Sequence, residues 1–178
     1  MLNICKSLLV FTGFMGTGKT ETGSIVSKKL SISFFDTDNL VETKMKLSIN
    51  DIFKKFGEFY FRQIESEVIE EISKKNFAVI SCGGGTVLNP VNIYNLRKKG
   101  IIINLYASAK VIYNRIKADS NRPLLKCEDP LNEIKKLLAF RKDAYNDCDF
   151  SFNTDGSTTH EVADAILNNN DVIKLLKI

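Results

Sequence analysis

Short apolar or alternating runs recur along the whole chain, separated by polar turns. Each run is four to six residues long, which is typical of a β-strand rather than of a helix. The first run becomes β-branched toward its end, as strands favour. The pattern predicts five strands, at residues 7–12, 32–35, 77–81, 101–106 and 149–153.

Between these runs, apolar residues recur every three or four positions, which is the period of a helix with one buried face. The clearest case is the segment 58–75, where Phe61, Ile64, Val68 and Ile72 form a single stripe. The same period predicts further helices at 19–30, 50–56, 110–117, 130–145 and 159–167.

Capping residues mark two helix starts. Ser48 can cap the short helix that follows it, and Asn89 followed by Pro90 begins another helix, which Gly100 is expected to end. In contrast, residues 119–129 are polar, contain a proline and show no period. They predict a long loop.

Strands alternate with helices five times, without an internal repeat. This order is typical of a parallel sheet covered by helices on both faces. The predicted fold is therefore α/β, a three-layer α/β/α sandwich around a five-stranded parallel sheet. With 178 residues, the chain (1–178) is expected to form a single domain.

Composition and charge exclude several classes of protein. Apolar residues make up 44% of the chain and charged residues 26%, so a disordered or fibrous protein is excluded. The net charge is +4 without a basic arm, which gives no support for nucleic acid binding. No apolar run approaches the ~20 residues that span a bilayer. We expect a cytoplasmic protein, and a monomer because no extended apolar face is evident.

One motif carries specific chemistry. The segment after the first strand fits G-x-x-x-x-G-K-[ST] and is followed by a helix, as a phosphate-binding loop requires. Its glycines let backbone N–H groups turn inward toward an anion. Lys19 can bridge the β- and γ-phosphates, and the Thr20 hydroxyl can ligate Mg²⁺. The motif is Gly13-Phe14-Met15-Gly16-Thr17-Gly18-Lys19-Thr20.

Two carboxylates follow the second predicted strand, Asp36 and Asp38. Either could simply cap the next helix, but alternate positions beyond a buried strand favour a metal–hydroxyl pair. The strand at 77–81 ends in serine rather than in the aspartate common in phosphate-loop proteins. This pattern favours a small-molecule kinase over a GTPase switch.

Taken in order, the motifs resemble those of the shikimate kinase family from about residue 8 to residue 167. The phosphate loop alone occurs in many families, whereas the combination D-x-D, F-R-x-x-E, G-G-G and R-P-L-L is much narrower. Beyond the loop, the matching segments are Phe35-Asp36-Thr37-Asp38, Ser48-Ile49-Asn50-Asp51-Ile52-Phe53, Gly57-Glu58, Phe61-Arg62-Gln63-Ile64-Glu65, Val79-Ile80-Ser81-Cys82-Gly83-Gly84-Gly85, Arg122-Pro123-Leu124-Leu125 and Arg141-Lys142-Asp143-Ala144-Tyr145.

The resemblance implies a P-loop kinase that transfers the γ-phosphoryl group of ATP to the 3-hydroxyl of shikimate, giving shikimate 3-phosphate and ADP. Thr20 and, through water, Asp36 would hold Mg²⁺. Arg115 would stack on adenine, and Arg122 would close over the phosphates from a lid loop at 119–129. The residues implied to bind ATP are Gly16, Thr17, Gly18, Lys19, Thr20, Glu21, Arg115 and Arg122.

The same resemblance implies a substrate-binding segment at about 36–65. Asp38 would accept hydrogen bonds from the shikimate hydroxyls, and the residues alone leave open whether it removes the proton or only orients the hydroxyl. Lys19, Asp38 and Arg122 would be the catalytic residues. The residues implied to bind shikimate are Asp38, Arg62, Gly83, Gly84, Gly85 and Arg141.

Four features depart from the family pattern. Glu21 stands where a second hydroxyl usually follows the loop, although its backbone N–H can still serve. Ser24 replaces an arginine, and Lys46 replaces a glycine before Ser48. The segment 153–157 lacks the basic residue often found near adenine. We expect ATP binding to survive these changes with altered strength.

Two alternatives remain at this point. Another small-molecule kinase, for gluconate or a nucleoside monophosphate, would share the loop but need a different acceptor site. A non-catalytic nucleotide-binding module would bind ATP without transferring its phosphoryl group. The joint presence of Lys19, Thr20, Asp36, Asp38 and Arg122 argues against the module.

Overall fold

The computed structural model describes residues 6–117 and 127–176. Five parallel strands form one sheet in the order β2-β3-β1-β4-β5, which confirms the predicted five-stranded parallel sheet. β1 lies at the centre and pairs with both β3 and β4. The strands are β1 (Leu8–Thr12), β2 (Ser33–Asp36), β3 (Ala78–Ser81), β4 (Gly100–Tyr106) and β5 (Phe150–Asn153).

Helices connect the strands and cover the sheet. The helices predicted at 19–30 and 159–167 begin and end at the same residues in the structure. The helices are α1 (Lys19–Leu30), α2 (Thr37–Met45), α3 (Ile49–Ile72), α4 (Pro90–Arg97), α5 (Ala109–Ile116), α6 (Pro130–Phe140), α7 (Lys142–Asn146), α8 (Thr159–Leu167) and α9 (Asn170–Leu175), with one 3₁₀ turn at Thr86–Leu88.

The two faces of the sheet carry separate apolar layers, because successive residues of a strand point to opposite sides. On one face Leu9, Phe11 and Ile103 pack with residues of α1, α8 and α9. On the other face Val10 and Ile102 pack with residues of α3 and α4. This confirms the three-layer α/β/α arrangement. Within the described residues, no helix is both long enough and apolar enough to cross a membrane.

One predicted helix end is wrong. Gly100 was expected to end the helix that begins after Asn89, but α4 ends at Arg97 and Gly100 is the first residue of β4. The glycine is needed for packing instead. A Cβ atom at this position would lie 2.6 Å from the carbonyl oxygen of Leu96 and 2.7 Å from Cγ2 of Val10.

Two helix interruptions matter for the site. Gly57 has φ 82° and ψ 171°, so it breaks α3 between the two segments that the sequence predicts separately. Arg141 has φ −96° and ψ 3° and separates α6 from α7, whereas the sequence predicts one helix over 130–145. Nothing in the apolar period marks this second break, because both helices keep apolar residues facing the same cluster.

The other differences between the predicted and the observed elements occur where an element is short or buries few apolar residues. The second strand extends one residue beyond its predicted end, to Asp36. No bounds were predicted for α2, and α9 was not predicted at all, since each buries few apolar residues. The predicted loop at 119–129 lies largely outside the described residues; Asp129 caps α6 through a hydrogen bond from the backbone N–H of Asn132.

Lys46 provides a test of backbone strain. It stands where the resembled family has glycine, and it adopts the left-handed conformation with φ 52° and ψ 34°. A side chain costs about 1 kcal/mol in that conformation, whereas glycine does not. We therefore expect Lys46→Gly to raise the free energy of unfolding by up to about 1 kcal/mol, measured by urea denaturation.

Lys46→Ala is the matched control, because it removes the exposed side chain but keeps the Cβ atom. It should leave the free energy of unfolding nearly unchanged. An equal gain for both variants would mean that strain at this position is not the cause.

Candidate active site

The phosphate loop joins the buried end of β1 to the N-terminus of α1, so its backbone N–H groups and the helix dipole favour an anion at the same place. Gly13, Gly16 and Gly18 all have positive φ values, of 137°, 76° and 88°. A Cβ atom at Gly13 would lie 2.1 Å from the carbonyl oxygen of Leu105, and one at Gly16 would lie 2.7 Å from Ile116. The loop therefore depends on glycine for both conformation and space.

Internal hydrogen bonds hold the loop. The Lys19 ammonium donates to the carbonyl oxygen of Phe14 at 2.9 Å, and the Thr17 hydroxyl donates to the same oxygen at 2.8 Å. Lys19 is 8% exposed. Its charge is thus held inside the concave face of the loop, where a phosphate would lie.

Three oxygen-bearing side chains meet beside the loop. The Thr20 hydroxyl donates to Oδ2 of Asp36 at 2.8 Å and lies 3.3 Å from Oγ of Ser81. The parallel register places Asp36 next to Ser81, since both residues end their strands. Hydroxyl and carboxylate oxygens are the ligands that Mg²⁺ prefers, so this group fits the ion that was predicted at Thr20 and Asp36.

Asp36 also caps α2. Its Oδ1 accepts hydrogen bonds from the backbone N–H groups of Asp38 at 3.0 Å and Asn39 at 3.3 Å. The capping interpretation and the metal interpretation are therefore compatible, because the two carboxylate oxygens face different partners. Asp38 belongs to the first turn of the helix that Asp36 caps.

The glycine run after β3 lies against Asp38. The backbone N–H of Gly83 donates to the Thr37 hydroxyl at 2.8 Å. A Cβ atom at Gly83 would lie 2.5 Å from Oδ1 of Asp38, and one at Gly85 would lie 2.4 Å from Nη2 of Arg62. The absence of side chains at these positions lets the Asp38 carboxylate and the Arg62 guanidinium approach the same stretch of backbone.

Arg62 lies between two carboxylates. Its Nη1 donates to Glu65 at 2.8 Å, and its Nη2 donates to Glu58 at 3.1 Å. Glu58 is 63% exposed, whereas Glu65 is 1% exposed. Burial opposes the charge of Arg62, but Coulomb attraction to Glu65 and Glu58 and the hydrogen bonds that Arg62 donates to them outweigh it, so the pKa of the guanidinium is raised.

From the helical pattern alone, Glu58 and Glu65 are expected to be surface ion-pair partners of Arg62. The structure confirms the pairing with Glu65 but buries that carboxylate, which is 1% exposed. Besides Arg62, its carboxylate accepts a hydrogen bond from the buried Thr86 hydroxyl at 2.7 Å. A buried carboxylate with two such partners is fixed in place. Glu65 and Thr86 therefore orient Arg62, and the i,i+3 spacing of Arg62 and Glu65 is the one sequence signal for this pair.

Arg141 also contacts the glycine run. Its Nη1 donates to the carbonyl oxygen of Gly84 at 3.4 Å, and its guanidinium lies 5.6 Å from the ring centre of Phe14. Its Nε is buried and has no hydrogen-bond partner among the described residues. An arginine with an unsatisfied buried donor is suited to receive an anionic ligand.

Tyr145 is a further residue that the sequence did not single out. Its hydroxyl donates to the carbonyl oxygen of Gly84 at 2.6 Å. Burial raises the pKa of Tyr145, although the nearby charge of Arg141 acts in the opposite direction. The tyrosine thus stays protonated as the donor that holds the Gly84 peptide.

Arg115 is anchored at the other end of the loop. It donates to the carbonyl oxygen of Gly16 at 3.1 Å and to Thr154 at 2.9 Å through the hydroxyl and 2.6 Å through the carbonyl oxygen. It therefore links the phosphate loop to the segment 153–157, which the sequence associates with adenine. Glu21 is exposed in the first turn of α1.

Cys82 precedes the glycine run and is buried. Burial raises the pKa of its thiol well above the usual range, and the charges of Glu65, Asp38 and Asp36 add to that effect. The thiol is therefore protonated at neutral pH.

Most predicted site residues thus lie at one edge of the sheet, formed by the loop after β1 and the ends of β2 and β3. In a parallel sheet this is the edge formed by the carboxyl ends of the strands, where α/β proteins bind ligands. Arg122 lies outside the described residues.

A family model described as shikimate kinase matches residues 15–170. The chain belongs to the shikimate kinase family. The family resemblance inferred from the motifs is therefore confirmed, and the alternative kinase families find no support in this comparison.

Curated relatives match over most of their length. A shikimate kinase of Thermodesulfovibrio yellowstonii is 46% identical over 159 residues, which cover 89% of this chain and 92% of the relative. A shikimate kinase of Caldicellulosiruptor bescii has the same identity and coverage.

Solved structures agree with this assignment. A shikimate kinase from Acinetobacter baumannii in complex with shikimate is 31% identical, has a TM-score of 0.87 and covers 91% of each chain. A shikimate kinase from Aquifex aeolicus is 37% identical, has a TM-score of 0.79 and covers 90% of this chain and 94% of that chain. The predicted P-loop kinase type of the fold is thus confirmed.

The hydrogen bond between Tyr145 and Gly84 should stabilise this shikimate kinase fold. Tyr145→Phe leaves the half-buried carbonyl oxygen of Gly84 with only the long contact to Arg141 among the described residues. We expect a loss of about 1–2 kcal/mol in the free energy of unfolding, measured by urea denaturation.

Tyr94→Phe is the control, because Tyr94 is 65% exposed on α4 and loses a hydroxyl in contact with solvent. If both variants unfold at the same urea concentration as the parent protein, the Tyr145 hydroxyl does not support the site.

Proposed function

We propose that this protein is a shikimate kinase, which transfers the γ-phosphoryl group of ATP to the 3-hydroxyl of shikimate and releases ADP. One observation supports this most directly. Around the glycine run 83–85, the structure brings together the Asp38 carboxylate and two guanidinium groups, Arg62 and Arg141, next to a phosphate loop. The Glu65 carboxylate also lies there, but it is already bound by Arg62. A hydroxylated carboxylate is the acceptor that suits such a group.

The two arginines are suited to bind the carboxylate of the acceptor. A planar guanidinium can donate two parallel hydrogen bonds to a carboxylate, which lysine cannot do. Arg62 already binds the exposed Glu58 and the buried Glu65. We infer that the substrate carboxylate displaces Glu58, because that partner is the solvated one, while Glu65 keeps the guanidinium oriented.

The remaining assigned residues bind the reacting hydroxyl of shikimate and the phosphates of ATP. Asp38 accepts a hydrogen bond from the reacting hydroxyl, and the backbone N–H of Gly84 donates to the substrate. Gly16, Thr17, Gly18, Lys19, Thr20 and the N–H of Glu21 surround the phosphates of ATP, and Arg115 lies beside its base. In this scheme Lys19 leaves the carbonyl oxygen of Phe14 and neutralises the charge of the transferring group.

Shikimate kinases use Mg²⁺ with ATP, and an ion bound here would neutralise charge on the phosphates. We propose that Thr20 and Asp36 hold it here, with Ser81 as a third oxygen beside them. The hydrogen bond between Thr20 and Asp36 already brings the two oxygens within 2.8 Å of each other.

Several expectations stay predictions. They are the single kinase domain with a substrate-binding segment at 36–65, the lid loop at 119–129 with Arg122 as its phosphate ligand, a monomeric state and a cytoplasmic location. Asp38 and Arg62 lie within the proposed substrate-binding segment, which supports that assignment.

The activity is tested by a coupled ADP-release assay with Mg-ATP and a panel of acceptors. Turnover on shikimate is the expected result. Turnover on gluconate or on a nucleoside monophosphate, with none on shikimate, would overturn the assignment. Lack of turnover on every acceptor would favour a nucleotide-binding module.

Asp38→Asn tests the role of the carboxylate. The amide cannot accept the proton and orients the hydroxyl less well, so we expect kcat to fall by about 10²–10⁴-fold. The affinity for ATP, measured by calorimetry, should stay nearly unchanged because the phosphate loop is not altered.

Asp171→Asn is the matched control, an exposed carboxylate on α9. It should leave kcat and the affinity for ATP as they are. Normal turnover of Asp38→Asn would remove Asp38 from the mechanism.

Arg62→Lys tests carboxylate recognition. Lysine retains the charge but not the planar pair of donors, so the KM for shikimate should rise about tenfold or more while the KM for ATP stays constant.

The corresponding control is Arg97→Lys, because Arg97 pairs with Asp147 away from the glycine run. It should change neither KM. A similar rise in KM for both substrates in Arg62→Lys would indicate a general disturbance of the fold rather than a lost substrate contact.

A further inference from the structure

The carbonyl oxygens of the glycine run are bound in two different ways. Those of Gly83 and Gly85 are held by the local turn, because each accepts from a backbone N–H three residues further along the chain. The oxygen of Gly84 accepts instead from a side chain, the Tyr145 hydroxyl, at 2.6 Å. Tyr145 belongs to α7 and is 6% exposed. A buried side chain of a distant helix thus holds the central peptide of the run.

Arg141 competes for the same oxygen. Its Nη1 lies 3.4 Å from the Gly84 oxygen, beyond the ~2.7–3.2 Å of a well-formed hydrogen bond. A charged donor normally forms the shorter bond, yet here the neutral phenol holds the short position. The two donors are fixed relative to each other by one helical turn, since the backbone N–H of Tyr145 donates to the carbonyl oxygen of Arg141 at 3.0 Å.

Tyr145 lies beside both arginines of the proposed acceptor site. Burial raises the pKa of its phenol, while the charges of Arg141 and Arg62 act in the opposite direction. We propose that Tyr145 is a positioning residue for the acceptor carboxylate: by occupying the Gly84 oxygen with a neutral donor, it leaves the Arg141 guanidinium available to that carboxylate. The inference rests on the proposed function, in which Arg141 binds the carboxylate of shikimate.

Removal of the hydroxyl shows what it prevents. The half-buried Gly84 oxygen would lose its short hydrogen bond, with Arg141 already only 3.4 Å away. An acceptor left without a donor is unfavourable, so the guanidinium moves in and forms a charge-assisted bond. The carboxylate of the acceptor then has to displace that bond. The cost is the same in the ground state and in the transition state, so KM rises while kcat does not fall.

The test is steady-state kinetics of Tyr145→Phe with shikimate and Mg-ATP. The KM for shikimate should rise about five- to thirtyfold, as expected when a hydrogen bond to a charged group must be broken. The KM for ATP and kcat should each stay within about twofold of the parent values.

A second variant tests whether Tyr145 acts through Arg141. Arg141→Met keeps an unbranched side chain but removes its donors, so no competitor for the Gly84 oxygen remains on it. The value of kcat/KM for shikimate should therefore agree within about twofold between Arg141→Met and the double variant Tyr145→Phe/Arg141→Met.

Ile134→Val is the matched control for stability. Ile134 is fully buried in the same apolar cluster as Tyr145, so its truncation destabilises the same part of the fold. It provides no donor to the Gly84 oxygen, and it should leave the KM values for shikimate and ATP unchanged.

The possible results separate this inference from the proposed function. A parent protein that phosphorylates shikimate, together with an unchanged KM for shikimate in Tyr145→Phe, would overturn the inference alone. An equal rise in both KM values would do the same, as would an equal loss of kcat/KM with and without Arg141, because each indicates a purely structural role. A parent protein without turnover on shikimate would overturn the proposed function as well.

Discussion

The close approach of Gly13 to the carbonyl oxygen of Leu105 is the constraint on which the site depends. It lets the chain leave the central strand of the sheet and turn at once over the end of its neighbour β4. The turn then delivers Lys19 and Thr20 to the edge where β2 and β3 also end. Since β2 ends in Asp36 and β3 in Ser81, the position of one backbone turn determines which side chains lie beside the phosphate loop.

Charge compensation is the second organising feature. Among the described residues, each of the cationic groups Lys19, Arg62 and Arg141 already donates to a partner that a ligand could replace. Lys19 donates to a backbone carbonyl oxygen of its own loop, and Arg62 donates to Glu58 and Glu65. Arg141 differs, because one of its donors is buried without a partner in the described chain. The described part of the site is thus suited to anions without holding several unpaired charges close together.

Features that depend on residues close together in the chain could be predicted from the sequence, whereas features that depend on distant contacts could not. The bounds of α1 and α8 and the phosphate loop depend on local patterns and were predicted correctly. The break at Arg141 and the roles of Glu65, Thr86 and Tyr145 depend on contacts between segments far apart in the chain. Thr86 and Glu65 are 21 positions apart, and Tyr145 and Gly84 are 61 apart. The spacing of apolar residues within one helix or strand does not indicate which residues of another segment it contacts. The resemblance named Glu65 within a motif but could not say what its carboxylate binds.

Cys82 gives the site an additional property. It adjoins the glycine run, yet its thiol is buried and its pKa is raised by burial and by the surrounding carboxylates. Only thiolates react readily with peroxides or alkylating agents. The protein therefore keeps a cysteine beside the glycine run as a buried, protonated thiol that reacts slowly with oxidants. For the same reason, an electrophile should modify this cysteine more slowly than an exposed thiol of ordinary pKa.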